Sequence, residues 1–200
     1  MNEAIKDDLL ILKKACDEAS ISFVIEGGIV LGYARYGDIM PWDTDIDASI
    51  FTEPITEQLD ILYAQLIHYG FRDINYFKTD FCYGFRKTEL NLWIFHKNGN
   101  YYEAFPKTTP GLKFIEKCSW FDEPQSIDFI GSNFLFPNNM DDYLICLYGI
   151  DWKTNIIKNH EEYYLDKRGS RNVNEWPAGR ATKSGDMWPK VLKVSDNMDN

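Results

Sequence analysis

Between Ala4 and Ala19 the apolar positions Ile5, Leu9, Leu12, Cys16 and Ala19 recur at steps of three and four, which predicts an amphipathic helix. The run "SFVIE" is β-branched and aromatic and reads as a short strand ending at Gly27 and Gly28. "IVLGYARYG" then predicts a short helix stopped by Gly37. In "DIDASIF" the pattern switches to strict alternation, with Asp45, Asp47 and Ser49 on one side and Ile46, Ala48 and Ile50 on the other. That is a strand with one face toward a core. "TEQLDILYAQLIHYG" predicts a second long helix, with Thr56 as N-cap and Gly70 as terminator.

Three strands are expected next, at "FRDINYF", "FCYGFRK" and "ELNLWIF". "NGN" at 98–100 signals a hairpin that folds "YYEAF" back on its predecessor, and "KFIEKC" and "IDFIGSNFLF" add further strands. Pro137 ends the sheet, Asn138 or Asn139 caps a helix through "MDDYLICLYG", and Gly149 closes it. The pattern describes a mixed, largely antiparallel sheet with helices around it. Beyond Asp166 the periodicity disappears into a stretch rich in Gly, Pro, Arg and Lys, which predicts an irregular tail.

Composition narrows the function classes. Two hundred residues, 44% of them hydrophobic, suffice for one substantial core. Lysine and arginine number 21 against 31 aspartates and glutamates, a formal net charge of −10. Such a chain is not built to hold nucleic acid phosphates on its surface, and no nucleic acid partner is expected. Cys16, Cys82, Cys118 and Cys146 are widely spaced with no C-x-x-C pair, so reduced thiols are expected, not zinc. No apolar run reaches the roughly 18 residues of a membrane span, and acidic residues precede the first apolar stretch, unlike a signal peptide. A cytoplasmic location is the expectation.

The chemistry concentrates in residues 26–50. Carboxylates at i and i+2 of a strand share a face with Cβ atoms about 7 Å apart, so Asp45 and Asp47 repel unless a cation intervenes. Magnesium binds oxygen ligands at about 2.0 to 2.1 Å, usually one or two carboxylates plus substrate phosphate oxygens. Asp45 and Asp47 are therefore candidate metal ligands and catalytic residues, with Asp43 supporting them or positioning an acceptor. Mg2+ is the expected ion, with Mn2+ as a substitute. An EF-hand loop is the competing reading of D-x-D-x-D, but "DTDIDASIFTEP" lacks its glycine and later glutamate. Gly27 and Gly28, between strand and helix, let backbone N–H groups approach a phosphate. Arg35 offers a planar fork for phosphate oxygens, and Trp42 either walls the site or packs.

Together, "GGIVLGYARYGDIMPWDTDIDASI" resembles the signature of the LicD/fukutin family: a glycine pair, G-x-x-R-x-G, an apolar-Pro-Trp and D-x-D-x-D. "ELNLWIFHKNG" is similar to the family's second acidic strand, and "GSNFLFPNNMDDYLICLYGIDW" to its closing element. The resemblance covers about residues 1–155. It implies an α/β nucleotidyltransferase fold, a mixed β-sheet flanked by helices, over 1–165, with 166–200 as the tail. It also implies transfer of a phospho-alcohol, such as phosphocholine or ribitol or glycerol phosphate, from a CDP-linked donor to the hydroxyl of a glycan or lipid-linked glycan.

One departure stands out. The family strand commonly carries a third metal-binding Asp where this chain has Asn91, and Glu89, two residues earlier on the same face, is the alternative charge. Nucleotide transfer to another acceptor, and non-catalytic nucleotide or glycan binding, therefore remain competing readings. His96 lies at the end of the "LWIF" strand as a weaker candidate, His68 and His160 stand apart, and Arg86, Lys87 and Lys107 are further possible phosphate partners.

Overall fold

The computed structural model describes residues 2–51, 53–75, 80–104, 112–154 and 192–193. Helix α1 (Asn2–Glu18) buries the predicted stripe of Ile5, Leu9, Leu12 and Cys16 completely, because those positions fall on one side of a 3.6-residue repeat. Strand β1 (Val24–Ile25) is only two residues long and lies inside a six-stranded sheet of order β3-β4-β2-β1-β9-β8. Helix α2 (Gly27–Tyr36) starts two residues earlier than the sequence pattern predicts, so the glycine pair is the first turn of the helix, not a loop before it. Gly37, with φ 70°, closes α2 as predicted, since only glycine enters the left-handed region without cost.

Strand β2 (Asp45–Ile50) pairs antiparallel with β1 and parallel with β4 (Glu89–Ile94). Parallel neighbours need a crossover, and α3 (Thr56–His68) supplies it. Thr56 is not the cap: Ile55 precedes the helix, and the Gln58 side chain accepts the Ile55 N–H at 3.1 Å, so a glutamine inside the first turn does the work expected of a threonine. "FRDINYF" forms no strand in its described part. Arg72 makes one isolated bridge to Phe85, and Asp73 at φ 56° turns the chain away. Strand β3 (Phe81–Phe85) pairs with β4, while β8 (Gln125–Phe129) and β9 (Ser132–Phe136) form the hairpin at the other edge. Ile130 and Gly131 both have positive φ there, the signature of a type I′ turn.

The hairpin at 98–100 is present, but it belongs to a second sheet. His96–Asn98 (β5), Tyr101–Ala104 (β6), Leu112–Lys117 (β7) and Leu192–Lys193 (β10) form a four-stranded sheet of order β10-β7-β6-β5. Phe51, at the end of β2, stacks on Phe95 and Phe121 and ties the two sheets together. Phe121 belongs to the short helix α4 (Cys118–Phe121). Helix α5 (Met140–Tyr148) follows Pro137, packs with α2 and ends at Gly149. The architecture is thus the expected α/β class, a mixed sheet flanked by helices. The tail boundary at 166 lies outside the described residues.

The tip of the β3–β4 hairpin is anchored on α1. The buried Asp8 carboxylate accepts the backbone N–H groups of Lys87 and Thr88, both at 2.8 Å, and the Thr88 hydroxyl at 3.0 Å. Arg86 bonds both Asp8 and Asp7, and Lys87 Nζ bonds Asp7 at 2.6 Å. Glu89 follows directly, so this anchor fixes where β4 begins.

Candidate active site

Strand register gathers the polar residues into one patch. In the parallel pair Asp45 lies opposite Glu89 and Asp47 opposite Asn91, while Asn91 in turn faces Tyr83 on β3. On the other side the Glu26 N–H donates to the Asp47 carbonyl at 2.9 Å, extending the β1–β2 register so that Glu26 sits across from Asp47. One row therefore runs Glu26, Asp47, Asn91, Tyr83. Asp45 and Glu89 form the adjacent row, because the period of a strand is two. The opposite face of β2, Ile46, Ala48 and Ile50, is fully buried in the core.

The glycine pair lies against these carboxylates. A Cβ on Gly27 would come within 2.6 Å of Asp47 Oδ2, and one on Gly28 within 2.8 Å of Asp43 Oδ2, closer than atoms tolerate. Gly27 also has φ 62°, where any side chain is strained. Both positions thus need glycine so that aspartates can sit beneath the start of α2. The Gly27 N–H is itself bonded to the Tyr143 hydroxyl at 3.0 Å.

Burial and mutual repulsion shape the electrostatics. Desolvation, and then the charges of Asp45 and Asp47, push the Asp43 carboxyl up to about 7. Desolvation, followed by Asp47 and Glu89, raises Asp45 to about 6. Asp43 Oδ1 accepts the Thr44 N–H at 3.2 Å, while Oδ2 is buried with no hydrogen-bond partner. Asn91 Nδ2 donates to Asp45 Oδ2 at 3.4 Å, a long bond. Among the described residues no lysine, arginine or histidine forms an ion pair with Asp43 or Asp45, and no group of three or more Asp, Glu, His or Cys side chains is preassembled around a metal position.

The remaining candidates are dispersed. Trp42, next to Asp43, is 46% exposed. Arg35 is in the last turn of α2, about 12 Å along the axis from Gly27. Its guanidinium binds the carbonyls of Trp152 and Thr154, locking the chain after α5 onto α2. His96 contacts Asp80 at 3.2 Å and lies five residues beyond Asn91, about 17 Å along the chain. His68 packs edge-on against Tyr69, and Arg86 and Lys87 are held by Asp7 and Asp8. Lys107 and His160 lie outside the described residues.

Two residues of the site escape the sequence pattern. Glu26 carried a signal, an acid closing an apolar strand directly before two glycines. Tyr143 carried none, since it reaches Gly27 from more than 100 positions away.

The profile of the LicD/FKTN/FKRP nucleotidyltransferase domain matches residues 20–139, more than half of the chain. The chain belongs to this family. The matched span runs from before β1 to the N-terminal boundary of α5 and includes Glu26, the glycine pair, all three aspartates, Glu89 and Asn91. Ribitol 5-phosphate transferase FKRP from Homo sapiens is 26% identical over 128 residues, 56% of this chain and 22% of that protein, and the Mus musculus protein matches to the same extent. The LicD-family chain thus spans about a fifth of the length of these relatives. Among solved structures, the lincosamide antibiotic adenylyltransferase LnuA, bound to lincomycin, superposes with a TM-score of 0.51 at 8% identity. It covers 82% of this chain and 96% of its own, and it shows that the fold is that of a nucleotidyltransferase. No described helix is long and apolar enough to cross a membrane.

Proposed function

We propose that this LicD-family chain is a divalent-metal-dependent transferase that moves a phospho-alcohol group, phosphocholine or ribitol or glycerol phosphate, from a CDP-linked donor to a glycan hydroxyl. The observation that carries the reading is the state of Asp43 and Asp45: half-buried, mutually repelling, raised toward neutrality, and facing no cation among the described residues. The donor set suits a hard ion. It consists of carboxylate oxygens, one of them a buried Asp43 oxygen without a partner, packed against glycines that leave room for them. Asp45 and Asp47 would hold the ion, and Glu89, facing Asp45, supplies the third charge that Asn91 lacks. Among the described residues no three-acid cluster is preassembled, so the remaining ligands would come from the donor's phosphate oxygens and water, the usual arrangement for magnesium. Bound there, the ion neutralises charge on the diphosphate and stabilises displacement at phosphorus.

The chain's own residues do the rest. Gly28 and the start of α2 present backbone N–H groups and a positive helix end toward phosphate. Gly27, its N–H bonded to Tyr143, contributes a close backbone approach. Trp42, half exposed beside Asp43, offers a flat surface for the donor or acceptor ring. Arg35 fits a scaffold role through Trp152 better than a phosphate contact. Three cysteines are buried and all four are free, which agrees with a reducing cytoplasmic setting.

Turnover of CDP-ribitol, CDP-glycerol and CDP-choline with Mg2+, against CTP and ATP as controls, tests the reading. Release of CMP from a CDP-alcohol in the presence of a glycan acceptor is the expected result. Preference for CTP or ATP would replace it with nucleotide transfer. Metal-independent binding without CMP release would make the chain a binding protein, the reading that the neutral Asn91 favours.

A further inference from the structure

We propose that Tyr143 and Glu26 act as a positioning pair, holding the Gly27 backbone and, through it, the Asp47 carboxylate in the geometry that receives the cation. The inference rests on the metal-dependent reading above and assigns roles to two residues outside its ligand set.

Both side chains are completely buried. The Gly27 N–H donates to the Tyr143 hydroxyl at 3.0 Å, and that hydroxyl donates to Glu26 Oε2 at 3.4 Å. A buried phenol needs a polar partner, and this one is directed at a single peptide group. The peptide matters because Gly27 lies against Asp47, where even a Cβ would meet Oδ2 at 2.6 Å. With no Cβ at Gly27 the Asp47 carboxylate packs close to this backbone, so the placement of the Gly27 peptide bears on where the carboxylate sits. Glu26 closes the loop from the other side, since its own N–H donates to the Asp47 carbonyl at 2.9 Å. Asp47 is thus held at its backbone by Glu26, its carboxylate takes the room that Gly27 leaves, and one hydroxyl links Glu26 and Gly27.

The hydroxyl is fixed from behind. Trp120 and Phe121 meet the Tyr143 ring edge-on, with centroids 5.4 and 6.0 Å away. The Trp120 indole N–H donates to Asp142 Oδ2 at 2.8 Å, pinning the first turn of α5 to α4. Tyr143 is therefore a rigid post from one element bracing the first turn of another. A hydroxyl that only satisfied itself would affect stability when removed and leave the metal affinity of the folded protein alone.

The full chain with Tyr143→Phe, which keeps the ring, Glu26→Gln, which keeps a hydrogen-bonding side chain, and Trp120→Phe, which loosens the packing without touching the hydroxyl, separates the two. Mn2+ binding by calorimetry and exchange of the Gly27 amide proton in metal-free protein are read for each. Tyr143→Phe should weaken Mn2+ about tenfold and speed Gly27 exchange about tenfold, the worth of one buried hydrogen bond. Glu26→Gln should show a smaller change in both, and Trp120→Phe should lower the melting temperature with Mn2+ affinity within twofold of wild type. Tyr143→Phe with unchanged Gly27 exchange overturns the pair whatever the metal does. If Tyr143→Phe does not fold, Glu26→Gln with unchanged Mn2+ affinity and exchange overturns it. Wild-type protein that binds no Mn2+ defeats the metal reading instead, and the exchange measurement still decides whether the brace exists.

Discussion

The chain holds two acidic pairs, one on α1 against the turn before β4 and one just before and at the start of β2, and they are treated in opposite ways. Asp7 and Asp8 on α1 are met by Arg86, Lys87 and Thr88, and the Lys87 and Arg86 bonds hold the Asp7 carboxyl below the usual carboxylate range. Asp8 is more deeply buried than Asp43, yet it accepts four donors and is satisfied. Asp43 and Asp45 accept backbone N–H groups and one long amide bond, interact with each other, and are raised toward neutrality. Burial alone therefore does not separate the two pairs. The supply of donors does: among the described residues, lysine and arginine meet Asp7 and Asp8 and none pairs with Asp43 or Asp45.

The contrast can be broken most forcefully by removing charge from each pair. Asp45→Asn and Asp47→Asn should each cut turnover by about 10³-fold while the melting temperature holds or rises, because the mutation relieves repulsion in metal-free protein. Asp8→Ala should do the reverse, lowering stability by about 3 kcal/mol in denaturant titrations by stranding the Lys87 and Thr88 backbone N–H groups that the carboxylate accepts. A stability loss at Asp45 equal to that at Asp8 would erase the distinction.

A subtler test uses pH. Asp43 and Asp45 have folded pKa values above the unfolded value, so they keep protons that the unfolded chain has lost, and stability drains away as pH rises from about 4 toward 7. Metal-free protein should therefore be less stable at pH 7 than at pH 5 by about 2 kcal/mol after solvent screening, and saturating Mg2+ should flatten the slope. Asp7, lowered instead of raised, loses its contribution only below its ordinary range, outside that window. The smallest expected effect is that of Asn91→Asp, which should tighten Mg2+ about tenfold if that position contacts the ion. Unchanged affinity, with loss in Glu89→Gln, would assign the third charge to Glu89.

Only the Asp45 and Asp47 half of this contrast is legible in the sequence; Arg86 and Lys87 read there as possible phosphate partners, not as the anchors of Asp7 and Asp8. The period of two in "DIDASIF" placed Asp45 and Asp47 on one face because Ile46, Ala48 and Ile50 had to face the core, and the stripe of α1 followed from the same logic at period 3.6. Turn chemistry was readable where glycine was obligatory, at Gly37 and at 98–100. Other features depend on contacts distant in sequence. Gln58 caps α3 from inside its first turn, and Arg72 and Asp73 divert a β-like run once Phe85 offers a bridge. The glycine pair was read as a phosphate cradle, whereas its immediate physical necessity is the room that Asp43 and Asp47 occupy. Arg35 illustrates the same limit: its motif spacing was visible, its bond to the Trp152 carbonyl was not.

Titration of metal-free protein with MgCl2 near pH 6.5, in two buffers of different ionisation enthalpy, addresses the central claim most directly. The account predicts binding with release of a substantial fraction of a proton, as the raised carboxyls of Asp43 and Asp45 give way to the ion, and at least tenfold weaker binding in Asp45→Asn. Equal affinity in Asp45→Asn, or binding with no proton released, would contradict it.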